Sequence, residues 1–153
     1  MRIGLGLENS YNGGFHLNYS TISFIEENYI PELKHLFSLQ WWSTDRELDD
    51  IKQMLDHTDV LIGVLDVDSE KLIGFGRVLT DYVYKALLLD VMIHPDYQQK
   101  GLGRLLLDNI LHHPSIKNVA HVELYCRQEM KPLYEKWGFT EQLGDLCFMR
   151  RPC

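Results

Sequence analysis

The stretch that most constrains this chain is Val91 to Leu107, VMIHPDYQQKGLGRLLL. An apolar run stops at His94-Pro95, a short polar loop follows, and Gly101 and Gly103 sit where a new apolar periodicity begins. Leu102, Leu105, Leu106, Ile110 and Leu111 then recur at helical spacing, so a helix is expected over Gly101 to His112 with these residues on its buried side. Glycines at a helix start let a ligand come close to the backbone, because no Cβ intervenes. The first-turn N–H groups of a helix have no partner within it, and the macrodipole adds partial positive charge. The segment therefore predicts an anion site suited to a phosphate or pyrophosphate, with Lys100 and Arg104 adding charge beside it. It is not a P-loop, since no Gly-Lys-Ser/Thr follows four variable residues. Nor is it the dinucleotide fingerprint, because Gly103 is followed by Arg104, Leu105 and Leu106 rather than by a third glycine.

The surrounding elements are read from periodicity. Tyr19 to Glu26 alternates as a first strand, Pro31 to Leu39 suits a short helix, and Thr44 opens a second, with Glu47 completing a capping box. Val60 to Val67 and Leu72 to Leu79 form a hairpin about the turn DSEK, and Ala86 to His94 is a central strand. Beyond the glycine helix come a strand over Ala120 to Cys126, a short helix over Met130 to Trp137 stopped by Gly138, and a last strand over Leu146 to Arg150. Helices that link strands predict a partly parallel sheet, whereas the hairpin predicts antiparallel pairing. A mixed sheet with helices on both faces follows. Met1 to Asn18 is Gly- and Asn-rich and is expected to be a loose arm of a single domain spanning 1–153.

Composition bounds the function. The net charge of −7 argues against general nucleic-acid binding. No apolar run approaches the roughly 20 residues of a membrane span. The start MRIGLGLENS lacks the apolar stretch of a secretory signal, so a cytoplasmic location is expected, with no membrane partner. Three cysteines, Cys126, Cys147 and Cys153, match no zinc or disulfide spacing, and no metal site is expected from the seven histidines.

Gln98, Gly101 and Gly103 spell Q-x-x-G-x-G, which resembles the signature loop of the GNAT superfamily of N-acetyltransferases. The context strengthens the likeness: the lead-in IHPDY, the phrase IGFGRVLTD from Ile73 to Asp81, and LYEKWGF from Leu133 to Phe139, which looks like the second signature. The resemblance runs from Trp41 to Phe148 and is nearest to small bacterial-type members with ELYC before the second signature. It implies an α/β (α+β) GNAT fold: a mixed, mostly antiparallel sheet flanked by helices, with the fourth and fifth strands splayed apart.

The resemblance also implies a reaction, transfer of an acetyl group from acetyl-CoA to a primary amine by direct attack. The pyrophosphate of coenzyme A would then lie on the backbone of Gln99, Lys100, Gly101, Leu102, Gly103 and Arg104, next to Gln98. Its pantetheine arm would pair with Val91, Met92 and Ile93. Tyr134 stands where the family often keeps the acid that protonates the departing thiolate, and a core tyrosine is its alternative. The base is open between Asp90, Glu123 and neither. Asp90 interrupts an apolar strand, and a structural pairing with Arg77 or with a backbone N–H would also account for it. Trp41, Trp42, Tyr82 and Tyr84 are expected near the acceptor pocket, with one Trp being core. An acidic, aromatic mouth would suit a cationic amine. Arg127 stands where many members carry an Asn that touches the coenzyme arm. The acceptor, a small-molecule amine or a protein amino group, and the oligomeric state, for which a homodimer is one form, are left open. A sensor that binds acetyl-CoA without catalysis is the competing reading.

Overall fold

The branched run from Val60 is the backbone of the molecule, because a continuous apolar stretch is stable only as a strand covered on both faces. The computed structural model describes residues 18–153, so the expected arm lies outside the described residues except for Asn18. The described chain divides into two compact units, one running to Val122 and the other from Glu123 to Cys153.

The first unit holds strands β1 (Tyr19–Ile22), β2 (Val60–Asp66), β3 (Lys71–Thr80) and β4 (Lys85–Ile93), with helices α1 (Ile30–Ser38), α2 (Leu48–Asp56) and α3 (Leu102–Leu111). A short β5 (His121–Glu123) completes a five-stranded sheet in the order β1-β2-β3-β4-β5. The first three pairings are antiparallel, and β4 and β5 run parallel. The mixed sheet expected from the hairpin and the helical crossovers is therefore present. Ala120 and His121 donate backbone hydrogen bonds to the carbonyls of Val83 and Tyr84. β5 thus fastens to the start of β4, the end opposite Val91–Ile93.

Each face of the sheet has its own cover. Leu33, Leu36 and Phe37 of α1 and Ile51 of α2 pack with Leu61, Phe75 and Met92 in one buried cluster. On α3 the fully covered side chains are Leu106, Leu107 and Ile110, so Leu107 takes the place expected for Leu105 and Leu111, which are half-buried. Gly76 is what lets α3 settle so near: a Cβ there would meet Ile110 Cδ1 at 2.8 Å.

Three local expectations are corrected. α2 begins at Leu48, not Thr44, and no side chain caps it. The Glu47 carboxylate instead accepts from Lys34 Nζ at 2.8 Å, and the buried Ser43 hydroxyl donates to the Phe37 carbonyl at 2.8 Å. A tertiary pairing has outcompeted the local capping box. β1 ends at Ile22, because Glu27 already begins a helical turn that leads into α1.

The second unit contains a helical turn (Gln128–Met130) and α4 (Lys131–Glu135), with Pro132 in the first turn, where its missing N–H costs nothing. Gly138 has φ 83°, the left-handed residue expected after the helix. Leu146 to Arg150 is not the predicted strand: the segment is exposed and forms no regular structure. Its short apolar run has no ladder partner there, and an apolar run without pairing does not make a strand.

Candidate active site

The loop between β4 and α3 is shaped by two left-handed residues. Gln99 has φ 61° and Gly101 φ 79°, and Gly101 caps α3 with no side chain on its N–H groups. A Cβ added at Gly101 or Gly103 would meet nothing within 4 Å. The helix start is therefore an open surface of unpaired donors, the property a phosphate group requires. Lys100 Nζ lies 5.1 Å from the centre of the Tyr97 ring, and Arg104 Nε sits 3.4 Å from Asp108 Oδ2. Gln98 turns its side-chain amide back onto the Ile93 carbonyl at 3.3 Å, bracing the loop against the end of β4. His94 is a turn residue, its Nδ1 accepting the Asp96 N–H at 3.2 Å.

β4 carries a bulge. The register with β3 shifts between Phe75 and Arg77, and Asp90 on the opposite strand has φ 55°. Two residues oppose one at such a point, and the strand bends. Asp90 accepts from Arg77 Nε at 2.5 Å, from Arg46 Nη1 at 3.2 Å and from Arg46 Nη2 at 3.3 Å. Both carboxylate oxygens are engaged, and the side chain is only 6% exposed. Arg77 was legible as a partner from the sequence; Arg46 was not, since nothing local connects it to a residue so distant in the chain.

Trp42 packs edge-on against Phe37, ring centres 6.2 Å apart, but is 38% exposed, so the core tryptophan expected of the pair is not found. Trp41 beside it is 66% exposed. Tyr82 and Tyr84 are exposed as well, and the Tyr82 hydroxyl donates to Asp59 at 3.3 Å. Asp81 takes the backbone N–H groups of Val83, Tyr84 and Lys85 on one oxygen, and these bonds, Lys85 first, hold its carboxyl below the usual range. Its charge organises the turn. Val91, Met92 and Ile93 form the end of β4, with Met92 buried.

In the second unit Tyr134 is 8% exposed and meets Phe139 edge-on at 5.9 Å. Burial, with a smaller contribution from Cys126, pushes its hydroxyl up to about 12. Arg127 pairs with Glu129 at 3.3 Å, and Glu123 at the end of β5 is exposed.

Comparison with known proteins adds to this geometry. The family model for the acetyltransferase (GNAT) domain matches residues 58–141, more than half of the chain and the whole run from β2 to α4. An uncharacterized N-acetyltransferase, ycf52-like, of Prochlorococcus marinus is 34% identical over 119 residues, covering 76% of this chain and 66% of its own length. GCN5-related N-acetyltransferase 1, chloroplastic, of Arabidopsis thaliana is 28% identical over 109 residues, covering 69% of this chain and 55% of its own. The chain thus spans less than two thirds of the length of these relatives. A crystal structure of a Xanthomonas campestris pv. campestris protein described as belonging to the GNAT family superposes with a TM-score of 0.74 at 25% identity, covering 87% of this chain and 93% of that one. Sheet order, glycine-started helix and family match agree: the chain belongs to the GNAT acetyltransferase family.

Proposed function

We propose that the chain is an acetyl-CoA-dependent N-acetyltransferase acting on a primary amine, of a small molecule or of a protein. The observation that carries this is the open cradle at Gly101 and Gly103, where an added Cβ would meet nothing within 4 Å. Backbone N–H groups from Gln99 to Arg104 would hold the pyrophosphate, with Lys100 and Arg104 supplying charge. The backbone of Val91, Met92 and Ile93 would receive the amide-bearing arm as a short added strand, which asks little of side chains. When bound, the thioester supplies the electrophilic acetyl carbonyl.

The protein's contribution is proton handling and placement. Tyr134 is protonated at neutral pH as any tyrosine is, and burial pushes its hydroxyl up to about 12, so it stays protonated well beyond that. It is the proposed acid for the departing sulfur. Arg46 and Arg77 occupy both oxygens of Asp90, which fits the structural pairing rather than a contact with the amine. Removal of the amine proton is therefore assigned to Glu123, which is exposed at the end of β5. Trp41, Trp42, Tyr82 and Tyr84 are proposed as the aromatic surroundings of the acceptor.

Thioester consumption, screened over amines, amino acids, aminoglycosides and peptide N-termini, tests the reading. Turnover with at least one amine class is expected. Binding of acetyl-CoA without turnover on any of them would favour the sensor. Failure of acetyl-CoA to outcompete ATP and NAD would refute the ligand itself. With an acceptor in hand, Tyr134→Phe should lower kcat by about 10²-fold or more while leaving acetyl-CoA affinity unchanged, the range expected for loss of a general acid. An undiminished kcat would remove Tyr134 from the mechanism.

A further inference from the structure

Arg46 lies between α1 and α2, outside residues 58–141 that match the family. Its guanidinium makes more directed contacts than any simple surface ion pair would need. Both terminal nitrogens reach Asp90, at 3.2 and 3.3 Å on separate oxygens. The Cζ of the same group lies over the Phe37 ring, 4.2 Å from its centre, and 5.5 Å from the centre of the Trp42 ring. Nη1 also approaches Met54 Sδ of α2 at 3.4 Å. One side chain therefore touches α1, α2, the tryptophan loop and the bulge of β4.

This arrangement depends on shape as well as charge. A planar fork can bind two carboxylate oxygens while stacking on an aromatic face, and an ammonium cannot. Asp90 is a non-glycine residue at φ 55°, a conformation that persists only where its surroundings hold it. Arg77 holds it from β3 at 2.5 Å, and Arg46 holds it from the loop. Immediately after Asp90 come Val91, Met92 and Ile93, the segment assigned to the coenzyme arm. Any change in the bulge when that segment gains a partner is transmitted first to the carboxylate, then to the guanidinium, then to the indole lying beside it.

We infer that Arg46 is a positioning residue that couples the arm-binding end of β4 to the Trp42 face of the acceptor side. The inference rests on the acetyl-CoA reading above. It names a linkage that the glycine loop alone would not produce.

The test uses the full chain with Trp41→Phe and Trp137→Phe, which leaves Trp42 as the single indole of three. Acetyl-CoA is titrated by calorimetry for affinity and by Trp42 emission for coupling, and 3′-phosphoadenosine 5′-diphosphate, which keeps the pyrophosphate, serves as an arm-free control. Acetyl-CoA should shift the emission, and the arm-free fragment should not. In Arg46→Met and Arg46→Lys the affinity should stay within about threefold, since the pyrophosphate grip is untouched, while most of the emission shift is lost. Loss in the Lys variant shows that the fork, not the charge, is what matters, and that variant also keeps the test alive should Arg46→Met fail to fold. A full emission shift in either folded variant, or no shift in the parent despite binding, overturns the coupling and leaves the acetyl-CoA reading standing. No calorimetric binding of acetyl-CoA to the parent overturns both.

Discussion

Asp90 shows how one residue can be conspicuous in a sequence and yet ambiguous in its role. A carboxylate inside an apolar strand demands compensation, and here Arg77 and Arg46 provide it across a side chain 6% exposed. Asp90→Asn would keep the size and tolerate the left-handed backbone, but it would leave two guanidiniums facing each other. Breaking a buried pair costs about 3–5 kcal/mol. Arg46 is 29% exposed and solvent screens part of that, so a loss of roughly 2–4 kcal/mol is expected. Urea unfolding should show the midpoint fall with an unchanged slope. A midpoint within error of the parent would mean that the clamp contributes nothing to stability. The charge was legible because it interrupts the apolar run Ala86 to His94, and Arg77 because it lies in the strand read just before that run. The bulge and Arg46 were not, because a φ of 55° and a contact from the α1–α2 loop leave no trace in local periodicity.

At the scale of elements, the long apolar strands and the glycine-started helix were readable because burial on both faces and an open helix terminus each impose a pattern on consecutive residues. Errors fell where a local rule met a tertiary competitor or lacked a partner: Glu47 bonds Lys34 instead of closing a cap, and Leu146–Arg150 is an apolar run without a paired strand. α2 nevertheless has Asp49 and Asp50 in its first turn, where negative charge suits the dipole. The element that carries the proposed function is the start of α3, and Gly101 tests it. At φ 79° a side chain is strained by roughly 1–2 kcal/mol, although no neighbour would clash. Gly101→Val should therefore lower stability by about that amount. Acetyl-CoA affinity should fall more than tenfold, because the Cβ fills the surface that the ligand needs. Thermal unfolding and calorimetry on the same sample separate the two effects. Unchanged affinity in a folded variant would place the ligand elsewhere.

For the molecule as a whole, the protonation of Tyr134 links the proposed chemistry to alkaline stability. An unfolded tyrosine releases its proton near pH 10, whereas burial holds Tyr134 to about 12. Between those values the unfolded chain has lost a proton that the folded chain retains, so raising the pH favours unfolding. The contribution is present in full below pH 10 and is gone above about 12, and a shift of this size corresponds to about 2–3 kcal/mol. Tyr19, Tyr29 and Tyr97 are raised as well, the first two chiefly by burial and the third by its bond to Asp66, so the parent's own curve mixes several groups. Subtracting the curve of Tyr134→Phe isolates one of them. Urea unfolding across this pH range should show the parent's stability falling by about 2–3 kcal/mol relative to the variant's as pH rises, because only the parent carries the Tyr134 ionisation. Curves that stay parallel would mean that the hydroxyl ionises like an exposed phenol. Such a phenol would also impose a falling limb on the acetyl-transfer rate near pH 10, whereas a proton held to about 12 keeps the acid competent well beyond it.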